Sequence, residues 1–120
     1  MSIIKATYFD KALEWVAKKP TSSVKAQLEG YDPPQIFKNK NSGEGVQADI
    51  SFESHAGARS YTDIALKTDE PQELVTRWKL LSIMAGMKNG KLYLLTPKGH
   101  KMFTQKLVDT YNINATIHSI

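Results

Sequence analysis

The sequence predicts an α/β domain, with a mixed central β-sheet flanked by helices in the order α-β-β-β-α-β-α-β. Three observations carry that prediction. Val46–Lys67 holds two alternating runs around a glycine-bearing loop, which is the pattern of a β-hairpin. Pro71–Met87 follows at once and carries apolar residues on two stripes, so it reads as a helix lying mostly buried on a sheet. Lys91–Leu95 is then a short apolar strand of the kind covered on both faces. With 120 residues, the chain is long enough for one domain with its own core, spanning 1–120, and too short for two ordinary ones.

Taken in order, Ala6–Lys18 shows helical spacing of Phe9, Leu13, Val16 and Ala17, with Trp15 as a core anchor. Lys18-Lys19-Pro20 ends that helix, because proline disfavours helical backbone in the residue before it. Thr21–Ser23 can cap a second short helix through Glu29, closed by Gly30. Tyr31-Asp32-Pro33-Pro34 is extended or turning, and Gln35–Lys38 reads as a short edge strand. The stretch 39–45 is a loop by composition. After the hairpin, Thr68–Glu73 has the cap residues, early proline and first-turn acids of a helix start. Thr96-Pro97 is the expected opening of the next helix, running to Asn112 with Met102, Leu107, Val108 and Tyr111 facing inward. Ala115–Ile120 completes the chain as a last strand.

Composition narrows the function classes. Apolar residues make up 41%, and no run approaches a membrane span, so no membrane partner is expected. There is no cysteine, which removes disulfides and thiolate chemistry and leans towards a cytoplasmic location. The N-terminus lacks the apolar region and cleavage site of a signal peptide. The net charge of +4 permits a nucleic-acid partner without requiring one. A small-molecule enzyme has no supporting motif: there is no phosphate-cradling glycine loop, no metal-spaced histidine pair and no nucleophile elbow.

The hairpin carries the chemistry. Alternation places Ile50, Phe52, Ile64 and Leu66 on one face, and Asp49, Ser51, Glu53, Asp63, Ala65 and Lys67 on the other. That second face admits two readings. One is a half-solvated surface whose opposite charges pair across strands. The other is a hydrolytic centre, in which carboxylates hold a divalent ion and a lysine steadies the attacking water or the developing charge.

At this point the chain resembles the PD-(D/E)xK nuclease superfamily, which includes restriction endonucleases and Holliday-junction resolvases. In that superfamily an aspartate sits on the second core strand, and an acid, one residue and a lysine follow on the third. Gln47-Ala48-Asp49-Ile50 is similar to the first element, and Ile64-Ala65-Leu66-Lys67-Thr68 to the second. The Trp-Lys-Leu-Leu helix after Lys67 extends the likeness, which covers Ala6–Leu95. The motif is degenerate, because Ala48 stands at the motif proline and Ala65 at the motif acid. The resemblance implies a restriction-endonuclease-like core with Asp49, Asp63 and Lys67 as catalytic residues. It implies Mg²⁺ held by Asp49 with Asp63 or Glu73, since either acid can stand in for the one missing at Ala65. The partner would be DNA, with a homodimer by analogy.

Lys38, Lys40, Arg59, Arg77, Lys98 and Lys101 are the candidate DNA-binding residues. Lys98 and Lys101, with His100, fall where a helix start is expected. Cations there oppose the helix dipole, which favours an anion-facing role for them. Two functions therefore compete. The first is a nuclease-like nucleic-acid-binding protein, with Mg²⁺-dependent phosphodiester hydrolysis retained, weakened or lost. The second is a non-catalytic interaction domain that keeps the fold for a protein partner.

Overall fold

The computed structural model describes residues 3–38 and 45–120. Of the loop expected at 39–45, residues 39–44, with Lys40, lie outside the described residues, and Gly45 belongs to a strand. The elements are α1 (Ile3–Thr7), α2 (Phe9–Ala17), β1 (Thr21–Ala26), β2 (Ile36–Lys38), β3 (Gly45–Gln47), β4 (Ile50–Ser54), β5 (Arg59–Ile64), α3 (Pro71–Met87), β6 (Leu92–Thr96), α4 (Lys101–Tyr111) and β7 (Ala115–Ser119). Five strands form one mixed sheet in the order β1-β4-β5-β6-β7, while β2 and β3 pair separately. β1, β4 and β5 are antiparallel neighbours; β5, β6 and β7 run parallel. Each parallel step is bridged by a helix, α3 and then α4, as parallel pairing requires.

Helices cover both faces of the sheet. α2 packs Phe9, Ala12 and Val16 against Ile50, Phe52, Ile64 and Leu95. On the other face, α3 and α4 bury Val75, Trp78, Leu81, Leu107 and Val108 against Tyr61, Ala65, Leu92 and Leu94. The alternation expected in the hairpin holds, since Ile50, Phe52 and Ile64 share one core and Leu66 packs against it. The opposite face is not half-solvated, however. α3 lies over it, and Asp49, Ser51 and Asp63 are all buried.

Several expectations are corrected. Thr21–Ala26 is a strand, not a helix. Its serines and threonine are poor helix interior residues, and its Val24 and Ala26 pair with Phe52 and Ile50 across β4. Gln35–Lys38 does not enter the main sheet; among the described residues β2 pairs only with β3. The first of the three antiparallel strands is therefore β1. The first helix is split at Tyr8 into α1 and α2. Thr96 does not cap a helix: β6 runs through it, pairing with Ser119, and its hydroxyl donates to the His118 carbonyl. The chain then turns through Gly99, at φ +89°, where a side chain would be strained, and α4 starts at Lys101. That later start leaves Met102 pointing outward, 87% exposed.

Candidate functional site

The ladder between β4 and β5 pairs Ile50 with Thr62, so the next position brings Asp49 opposite Asp63. Here side chains replace the ladder. The Asp49 backbone N–H donates to Asp63 Oδ1 at 3.0 Å, and the Ile64 N–H donates to Asp49 Oδ2 at 2.9 Å. Two carboxylates are thus held face to face beneath α3, 3% and 1% exposed.

Bare carboxylates in such a place would repel and be driven neutral. Two cations answer them. Arg77 reaches down from α3 in a two-pronged contact: Nε donates to Asp63 Oδ2 at 2.5 Å and Nη2 to Asp63 Oδ1 at 3.0 Å. The same Nη2 donates to the Gln47 carbonyl and stands 3.7 Å from Asp49 Oδ1. Trp78, the next residue, donates its indole N–H to Asp63 Oδ2 at 3.2 Å. Lys5 of α1 contacts Asp49 Oδ2 at 2.9 Å. Asp63 therefore accepts from four N–H donors. Asp49 shares Oδ2 between a backbone amide and an ammonium.

The two acids divide their roles. Burial raises Asp49 to about 6, and the Asp63 charge adds to that, while Lys5 and Arg77 offset only part. Burial acts in the same direction on Asp63, but Arg77, by charge and by hydrogen bonds, overrides it and holds that carboxyl below its ordinary range. Arg77 resists burial because of Asp63 and stays above its ordinary value. Asp63 is the fixed anion of the pair, and Asp49 is the group that can take a proton. In front of them opens a cavity of about 540 Å³, lined by Lys5, Gly45, Val46, Glu73, Thr76 and Arg77.

The remaining candidates scatter. β5 ends at Ile64, so the alternation does not carry Lys67 to the acids. Its backbone N–H donates to His100 Nδ1 at 2.9 Å, and among the described residues no contact joins its ammonium to Asp49 or Asp63. Glu73 is exposed on the rim of the cavity. Arg59 is bound to Glu53 at 2.7 Å. Lys38, Lys98 and Lys101 are exposed. Among the described residues, no group of three or more His, Cys, Asp or Glu could hold a metal ion, and no helix is long and apolar enough to cross a membrane.

Sequence reasoning brought the two acids together but missed what binds them. Arg77 reads as the polar side of a helix, and only its place beside the buried Trp78 hints that it faces inward. Lys5 gives no local signal at all. No protein-family model, no curated protein and no solved structure matches this chain.

Proposed function

We propose that the chain is a nuclease-like nucleic-acid-binding domain that binds without cutting. One observation carries the reading: Arg77 and Lys5 stand on the two acids that a nuclease of this kind would offer to a metal. The order helix, three antiparallel strands, helix, parallel strand supports a restriction-endonuclease-like core, with β1, β4 and β5 as the three strands. Asp49 and Asp63 then lie on the second and third of these, as the PD-(D/E)xK resemblance implies.

The donor set does not fit Mg²⁺ as arranged. A hard cation needs carboxylate lone pairs and room for its waters. Here both Asp63 oxygens and Asp49 Oδ2 already accept N–H donors, and Ala65 replaces the motif acid. The two cations cancel the two acids, so the protein's own charges stand in for the ion. Binding is then left to the exposed lysines, through phosphate contacts that carry little base information.

Gel-shift titration at low salt, with plasmid nicking assayed in Mg²⁺ and Mn²⁺, tests this. The expected result is salt-sensitive DNA binding with no nicking and no metal-induced rise in Tm. Metal-dependent nicking abolished by Asp49→Asn would overturn the loss of cleavage. Absence of any DNA binding at low salt would overturn the nucleic-acid reading. It would leave the protein-partner domain, which Ile83 and Met87 favour by standing 59% and 69% exposed on α3.

A further inference from the structure

The sheet face opposite the acids is only partly covered. α2 packs on Ile50, Phe52, Ile64 and Leu95, and beside Phe52, which contacts two of them, three more rings meet: Trp15 of α2, Tyr93 of β6 and His118 of β7. Their centroids lie 5.0 Å apart for Trp15 and Tyr93, 5.1 Å for Trp15 and His118, and 5.9 Å for Tyr93 and His118. All three rings remain half-buried. The Lys19 ammonium sits 4.5 Å from the Trp15 ring centre and 4.8 Å from that of Tyr93. Beside Trp15 a cleft of about 220 Å³ opens between α2 and the end of β7, lined by Lys11, Glu14, Lys18, Ser119 and Ile120.

Charge concentrates at the same place. Burial holds His118 below its ordinary value, and Lys19 and Lys101 push it further down, so both cations act on that ring. Lys11, Lys18 and Lys19 against Glu14 give three minus one, or +2, around Trp15. At the acid pair, Lys5 and Arg77 only cancel Asp49 and Asp63, and Glu73 makes the cavity net negative. A polyanion is therefore drawn to the aromatic cleft and not to the acids.

We propose that the cleft between α2 and β7 binds single-stranded nucleic acid, with Trp15 stacking on a base and Lys11, Lys18 and Lys19 holding phosphates. This rests on the nucleic-acid reading above and gives it a place and a strand form. Aromatic rings set among lysines suit a single strand because every base has a π-face, while duplex bases hide theirs in the stack. Lys19 fits both states. It covers the ring faces in the free protein, and an arriving base sends its ammonium outward to the phosphate.

Trp15 emission reports the event, with Trp78, 1% exposed, as a shielded background. Short oligothymidylate and a duplex of equal length are titrated at low salt. The expected result is quenching by the single strand, tighter than by the duplex and weakened by salt. Trp15→Leu should weaken binding by roughly tenfold. Lys18→Glu combined with Lys19→Glu should do at least as much, with an unchanged Tm showing that the fold is intact. DNA binding with no change in emission, and unaltered in the lysine variant, overturns this site and leaves the proposed function standing. Tighter binding of the duplex at these residues, or equal quenching by polyglutamate, also overturns it. No binding of any nucleic acid overturns both.

Discussion

At the scale of single residues, the acid pair is held by its partners and not by solvent. Arg77 is the more costly to lose. Arg77→Leu leaves Asp63 buried without its cation, and breaking a buried ion pair from one side costs about 3–5 kcal/mol. Denaturant unfolding should show that loss, and adding Asp63→Asn should recover part of it by removing the orphaned charge. Asp49 sets the pH response. Its folded value is about 6 against an ordinary 3.8, so the fold favours its protonated form. That contribution is fully present below 3.8 and is lost as pH rises through about 6. The loss is on the order of 3 kcal/mol, from about two pH units at ~1.4 kcal/mol each. Asp63 works in the opposite sense: its stabilising charge is lost only as pH falls below the ordinary carboxylate range. Stability should therefore decline between roughly pH 4 and 6.5 in the wild type. The decline should flatten in Asp49→Asn, read from Tm across a buffer series; an unchanged slope would show that Asp49 is not the responsible group.

At the scale of elements, α3 and the turn after it carry the architecture. Trp78 is 1% exposed and joins packing to polarity through its bond to Asp63, so Trp78→Ala should cost about 3–5 kcal/mol. Two glycines nearby should respond to alanine with opposite signs. Gly90 has no room, since a Cβ there would lie 1.8 Å from the Arg59 carbonyl oxygen, and Gly90→Ala should cost about 1–3 kcal/mol or more. Gly86 sits in helical backbone with nothing near its Cβ position, and Gly86→Ala should stabilise by roughly 0.5–1 kcal/mol. Equal effects in paired melts would contradict this geometry. The bounds of α3 were legible in the sequence because proline, first-turn acid and apolar stripes agree there. β1 was not. Thr21–Ala26 is short and polar, and only its pairing with β4, about 30 residues away, decides it. The same limit hid the site's cations. Alternation can place Asp49 and Asp63 together, but no local pattern says that Lys5 from α1 and Arg77 from α3 converge on them. Lys67 was misplaced for the reverse reason: the alternating letters run on after the strand itself has stopped at Ile64.

At the scale of the whole molecule, the basic residues divide into those bound to carboxylates within the fold and those exposed to solvent. Arg59 and Arg77 belong to the first group; Lys38, Lys98 and Lys101 belong to the second. The salt dependence of DNA affinity should report the division. Each phosphate neutralised contributes a slope of about −0.9 on duplex DNA, so Lys98→Ala with Lys101→Ala should flatten the slope by up to ~2. Arg59→Gln should leave it unchanged, and a large effect there would show that the Glu53 pairing opens on binding. The reciprocal bonds of Asp49 and Asp63 have one more consequence, which concerns uniqueness. If β4 slid against β5 by two residues, every apolar side chain would keep its face, because the strand repeat is two. Burial alone hardly separates the two alignments. Only the native one sets each carboxylate against the other strand's backbone amide and brings both under Arg77. A slipped hairpin would strand two buried charges. The acid pair thus acts as a register key, excluding a misaligned sheet that the hydrophobic pattern would accept.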